Sequence, residues 1–213
     1  MILTTLQQMV ADFCGDPDQT RFGAKYVGNV NRAQEQFAMD TKALWKDASY
    51  TTVSGTSTYA LPSDFLWEDT VTHAGLPLKP ISRHSLYALY PSTDWTQLEG
   101  TPTHFLIDPE EASKVLRLIP IPQDAETVSM RYFPLPAAVS GGNDVVLNSS
   151  ALMSQFHMAI AALAAWLTLT FETPTPEISD KRRELMKIYS DGVGKAVDTF
   201  KNTASEPLRL RPK

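Results

Sequence analysis

The stretch of this chain with the greatest capacity for chemistry is Asp16-Pro-Asp18-Gln-Thr20. Its D-x-D-x-T spacing is that of aspartate nucleophiles, where one carboxylate attacks phosphorus and the next handles a proton. That chemistry needs the first aspartate at the end of a buried parallel strand. Here Met9-Val-Ala-Asp-Phe13 precedes it at helical spacing, and Gly15 intervenes. The segment is therefore expected to be a turn between two helices, its carboxylates and hydroxyl capping the second.

The other candidates are weaker. His73, His84, His104 and His157 have no partners at metal-ligand spacing. His157 lies on an apolar helix and is expected to be a core or interface histidine. Gly141-Gly142 lacks the lysine and hydroxyl of a phosphate loop and reads as a hinge. Asp108-Pro-Glu-Glu111 reads as a solvated hairpin tip rather than a calcium site, and no serine stands in a nucleophile elbow. Cys14 reads as a small buried hydrophobe. Trp67, Tyr87, Tyr90 and Trp95 could form a sugar-stacking face, although such aromatics more often fill cores or interfaces. No catalytic residue, cofactor-binding residue or metal ligand is assigned, and the chain is not expected to be an enzyme.

Composition narrows the class further. With 213 residues, 43% hydrophobic and 20% charged, the chain can bury a sizeable interior. A net charge of -5 argues against wholesale nucleic-acid binding. The single cysteine excludes an internal disulfide and fits assembly in a reducing cytoplasm. No secretory leader is expected, since Met1-Ile-Leu leads to Gln7, Gln8 and Asp12. The run Met158–Leu167 holds ten apolar residues, half of the roughly 20 needed to span a bilayer, so no membrane partner is expected.

The elements follow from hydrophobic period. Leu3, Leu6, Val10 and Phe13 predict a short helix ending at Gly15. Phe22, Tyr26, Val30, Ala33, Phe37 and Leu44 predict a long one from Phe22 to Lys46, a rod of roughly 40 Å. Near Thr51 the period changes to two. A hairpin around Gly55 and strands at Trp67–His73 and Leu78–Ile81 are expected, then a short helix capped by Ser82 with Leu86 and Leu89 inward. An exposed loop over Pro91–Gly100 follows, with strands at Thr103–Asp108, Val115–Ile119 and Thr127–Phe133. Ser149 or Ser150 should cap an all-apolar helix reaching Phe171. Thr175 and Pro176 should start a final helix burying Ile178, Leu185, Tyr189, Val193 and Val197.

The expected fold class is α+β. A helical bundle is built from residues 1–50 and 145–203, an antiparallel β-rich domain is inserted at 51–144, and an extended arm follows at 204–213. In that arm Pro207-Leu208-Arg209-Leu210-Arg211 alternates apolar and basic residues, which suits an extended peptide docking on a partner's sheet edge or groove.

Along the β-rich segments stand, in order, Tyr59-x-Leu-Pro-x-Asp64-Phe65, a Gly75-x-x-Leu78 turn, Gly100-Thr-Pro102, Leu116-Arg-Leu-Ile-Pro120 with Pro122, and Tyr132. That order resembles bacteriophage head-to-tail adaptor proteins, also called head-completion or connector proteins. Asn31-Arg-Ala33 before these segments and Ala161–Trp166 after them extend the likeness along the chain. The resemblance implies a structural virion protein of the neck, a ring of about twelve copies between the portal and the tail or tail-nozzle proteins. Double-stranded DNA would pass its channel without specific binding. It implies assembly in the host cytoplasm, a C-terminal arm reaching the portal, and neither cofactor nor catalysis. The alternative reading is a non-enzymatic carbohydrate- or protein-binding module of a phage or cell surface.

Overall fold

The computed structural model describes residues 1–91, 94–108, 114–147 and 155–204, with side chains as far as Phe200. The chain divides into two compact units: residues 1–44 with 135–213, and residues 45–134. The fold is α+β: N- and C-terminal helices pack together, with two four-stranded sheets inserted between them in sequence.

The first unit is a helical bundle. Helix α1 (Leu3–Cys14) buries Leu3, Leu6, Val10 and Cys14. Gly15 closes it at φ 72°, and the Asp16 N–H returns to the Ala11 carbonyl at 2.9 Å. Helix α2 (Gly23–Thr41) buries Tyr26, Val30, Ala33 and Phe37, one face at 3.6-residue period. It stops short of the expected Lys46 because Lys42 turns left-handed at φ 51°. Two further helices of this unit follow the sheets, α4 (His157–Leu169) and α5 (Pro176–Ala204), whereas α3 (Arg83–Leu89) belongs to the second unit. α4 (His157–Leu169) is apolar on nearly every side and packs against α1, α2 and α5. The expected caps Ser149 and Ser150 lie outside the described residues. Helix α5 (Pro176–Ala204) starts as the sequence implies: Thr175 Oγ1 accepts the Ile178 N–H at 3.2 Å, and Pro176 holds the first helical position. Leu185, Tyr189 and Ala196 are its buried residues, with Ile178, Val193 and Val197 half-buried.

The run from Leu135 to Leu147 is pinned to α2 by side chains. Asn31 donates through Nδ2 to the Val139 carbonyl at 2.9 Å and accepts the Val139 N–H at 2.8 Å. Fully buried Gln34 donates to the Ala137 carbonyl at 2.9 Å and accepts from the Leu147 N–H at 3.2 Å. Gly141–Asp144 is a tight cap rather than a hinge. The Asp144 carboxylate accepts the Ser140 and Gly141 N–H groups, each at 2.7 Å. The carbonyls of Asp144 and Gly142 accept the Leu3 and Thr4 N–H groups that begin α1.

The second unit holds strands β1 (Lys46–Thr51), β2 (Thr58–Ala60), β3 (Phe65–His73), β4 (Leu76–Pro77), β5 (Lys79–Pro80), β6 (His104–Asp108), β7 (Val115–Ile119) and β8 (Thr127–Pro134). One sheet runs β1-β8-β3-β4, the other β2-β7-β6-β5. In β8, Val128, Met130 and Tyr132 are buried while Ser129 and Arg131 face out. They share a core with Phe65 and Val71 of the same sheet and with Phe105, Leu116 and Leu118 of the other. Helix α3 (Arg83–Leu89) is capped by Ser82 as expected, the Ser85 N–H donating to its Oγ at 3.1 Å.

Four local expectations are corrected. β1 and β2 do not form a hairpin: β1 pairs with β8 and β2 with β7, so Gly55 turns the chain from one sheet to the other. β5 pairs parallel to β6. Leu89 is exposed, and the loop beyond it is not wholly exposed, because Trp95 is buried in a single 3-10 turn beside Leu86, Leu106 and Ile119.

Candidate interaction surfaces

Asp16 is a scaffold group, not a nucleophile. Its buried carboxylate accepts the N–H groups of Thr20, Arg21 and Phe22 at 3.1–3.2 Å and the Tyr26 hydroxyl at 2.7 Å. Burial alone would raise its pKa, but these four donors outweigh that and hold it below the usual aspartate value. Every Asp16 oxygen faces a donor that fixes the turn into α2. Asp18 is exposed, and among the described residues the hydrogen-bond partners of the Asp16 carboxylate are Thr20, Arg21, Phe22 and Tyr26. Cys14 is buried nearby, and burial pushes its thiol up to about 12, which makes it an inert packing group.

The histidines are dispersed. His157 is buried with Nε2 at 3.2 Å from the Val146 carbonyl, His104 Nδ1 meets Thr103 Oγ1 at 2.9 Å, and His73 Nε2 lies 3.3 Å from Glu126 Oε2. Among the described residues no three His, Cys, Asp or Glu side chains gather at metal-binding range. The loop aromatics do not form one stacking face. Trp67 packs on Phe133 (centroids 6.2 Å apart), whereas Tyr87 meets buried Trp95 edge-on at 6.2 Å in a separate cluster. No helix among the described residues is long and apolar enough to cross a membrane. The docking candidates Pro207, Leu208, Arg209, Leu210 and Arg211, and the acidic tip Pro109–Glu111, lie outside the described residues.

What the described surface does offer is a set of contacts that hydrophobic period could not single out. On the bundle, Met158 (55% exposed) borders an open groove of about 690 Å³ between α4 and α5. Phe156, Ala159 and Ile188 contribute its apolar lining, and Asp191 and Asp198 its acidic border. Gly192 lets the helices meet there: a Cβ at that position would stand 2.5 Å from the Ala159 Cβ. At the other end of α4, Phe171 projects with 56% of its surface exposed, and Lys25 Nζ sits 3.9 Å from its ring centre. Arg21 pairs with Glu172 beside it at 2.5 Å. Met158 sits in an apolar run and Phe171 at a helix end, so a 3.6-residue period alone would count both as core.

On the second unit, the outer face of β1, β8 and β3 is a shallow hollow of about 490 Å³ bearing Ser49, Thr70, Thr72 and Ser129. At its border Arg131 donates to Asp47 Oδ1 at 3.1 Å and stacks 4.6 Å from the ring centre of Trp45, which is 59% exposed. Several of the residues that carried the family resemblance, by contrast, are buried, among them Phe65, Leu78, Leu116, Leu118 and Tyr132. Asp64 accepts from Lys46 Nζ at 2.6 Å and from the Tyr132 hydroxyl at 2.9 Å, and Phe65 stacks on Tyr132 at 5.8 Å. These contacts hold the fold of the second unit together.

The sequence matches the family model described as SU10 adaptor protein over residues 1–210. No curated protein matches it significantly.

Proposed function

Because this chain belongs to the SU10 adaptor protein family, a family of phage head-tail adaptors, we propose that it forms a ring between portal and tail. The family makes it a structural virion component rather than an enzyme. The ring has about twelve copies and leaves an axial channel through which double-stranded DNA passes. Portal subunits lie above it and tail or tail-nozzle proteins below, and it is assembled in the host cytoplasm. The observation that carries this reading is the extent of the match, which takes in both helical segments and the whole β unit rather than one shared module. The net charge of -5 supports a channel that releases DNA, since phosphates held by a basic lining would stall passage.

The C-terminal arm docks on the portal. As an extended strand it sends Leu208 and Leu210 to one side and Arg209 and Arg211 to the other, matching an apolar cleft bordered by carboxylates. Cryo-electron microscopy of the protein bound to its portal tests the whole reading: a closed ring coaxial with the portal is expected, and isolated subunits or an open filament would overturn it. Deleting residues 204–213 should leave the subunit folded but yield heads that lose DNA. Unchanged portal affinity after that deletion would refute the arm's role while leaving the ring intact.

A further inference from the structure

We propose that neighbouring copies join through the bundle, the Phe171–Lys25 knob of one copy entering the α4–α5 groove of the next. The proposal rests on the ring reading above and names the contact that builds the ring. Knob and groove lie at opposite ends of α4. From Ala159 to Phe171 is twelve residues, on the order of 18 Å at about 1.5 Å per residue. Two different patches that recognise each other make a head-to-tail contact, the kind that closes into a ring when the rotation allows.

The two patches are complementary in polarity and charge. Phe171 is an exposed aromatic, the residue type that anchors interfaces when it enters an apolar pocket. The groove offers Phe156, Met158, Ala159 and Ile188 to receive it. Lys25 stands over the ring, and among the described residues it has no carboxylate partner. Asp191 and Asp198 at the groove are exposed and, among the described residues, have no cationic partner either. Lys195, between them in sequence, also lines the groove and tempers their charge. Docking would bring one unpaired cation to two unpaired carboxylates around a buried aromatic, with the methionine adapting its shape to the ring.

The contact can be broken from either side and reassembled in a mixture. Phe171→Ser removes the knob and keeps the groove, whereas Asp191→Lys with Asp198→Lys spoils the groove and keeps the knob. All three positions are exposed, so thermal midpoints should stay near the parent's. Analytical ultracentrifugation over a concentration series, alone and with portal added, should show each variant self-associating at least about tenfold more weakly than the parent. Mixed in equal amounts the two should form a heterodimer and stop there, because only one good contact exists between them. Rings from either variant alone, or no heterodimer in the mixture, would overturn this contact and leave the ring reading standing. A parent protein that binds portal without touching another copy would overturn both. Should a variant fail to fold, Lys25→Glu on the parent background gives the same weakening, and its rescue by the Asp191→Lys and Asp198→Lys pair supports the same contact.

Discussion

Asp16 in the bundle and Asp64 in the β unit have the same partner chemistry in different settings. Each accepts a tyrosine hydroxyl, from Tyr26 at 2.7 Å and from Tyr132 at 2.9 Å. In each, burial pushes the carboxyl up and hydrogen bonds bring it below the ordinary value. The remaining donors differ. Asp16 is held by three backbone N–H groups of its own turn, whereas Asp64 is held by Lys46, whose side chain is 58% exposed. The bundle thus fixes its entry turn by geometry, which salt and side-chain motion hardly touch. The β unit joins the start of β1 to the turn before β3 by a charge pair that water and ions reach. The same residue type is a rigid keystone in one unit and an adjustable tie in the other.

The largest effect should come from removing the keystone. Asp16→Ala leaves the Tyr26 hydroxyl and the Phe22 N–H buried without an acceptor, whereas Asp64→Ala lets Lys46 return to water. Thermal unfolding should therefore show a much greater loss for Asp16→Ala, and the reverse order would break the comparison. The tyrosines sharpen it: each donates to a charged carboxylate, a bond worth about 1.5–3 kcal/mol, and Tyr26→Phe should cost near the top of that range and Tyr132→Phe near the bottom, since the Asp64 side chain is 29% exposed. Denaturant titrations of the two variants measure both.

Fixed geometry in the bundle has a second probe. Gly192→Ala would place a methyl 2.5 Å from the Ala159 Cβ, neither of which can turn aside, so α4 and α5 must part at a cost of about 1–3 kcal/mol. Gly194, two residues on, has nothing within 4 Å of its Cβ position. Gly194→Ala should instead stabilise the helix by about 0.5–1 kcal/mol. Opposite signs from one substitution two residues apart would locate the close helix contact at Gly192. A loss at both sites would show that the contact is not what limits them.

Much of this architecture is legible in the residues because it is local. Thr175-Pro176 starts α5, Ser82 caps α3, and Val128, Met130 and Tyr132 alternate inward along β8. What could not be read depends on partners distant in the chain. The period of two near Tyr50 and Tyr59 marks strands but does not say that one joins Val128 and the other Leu116. Lys42 ends α2 in a left-handed turn that no glycine announces. The clamps by Asn31 and Gln34 reach across more than a hundred residues to carbonyls and N–H groups that carry no sequence signal. The groove at Met158 arises only when Gly192 brings α5 against Ala159.

Acid and salt should separate the two aspartates by the smallest but most diagnostic margin. Both have folded pKa values below their unfolded value of 3.8. Each therefore contributes stability that is fully present above about pH 4 to 5 and is lost as pH falls through the depressed folded value. Neither should move stability between pH 5 and 8. Raising salt to about 1 M shortens the screening length to roughly 3 Å, which weakens the hold of Lys46 on Asp64 but not that of the backbone on Asp16. The tryptophans allow each unit to be followed separately, since Trp166 lies in the bundle and Trp45, Trp67 and Trp95 in the β unit. With Trp166→Phe reporting the β unit and a Trp45, Trp67 and Trp95→Phe variant reporting the bundle, acid titrations at low and high salt can be compared. High salt should shift the acid transition of the β unit upward in pH and leave that of the bundle nearly unmoved. Equal shifts in both would mean that Asp16, too, is held by a mobile charge, and the distinction between keystone and tie would fall.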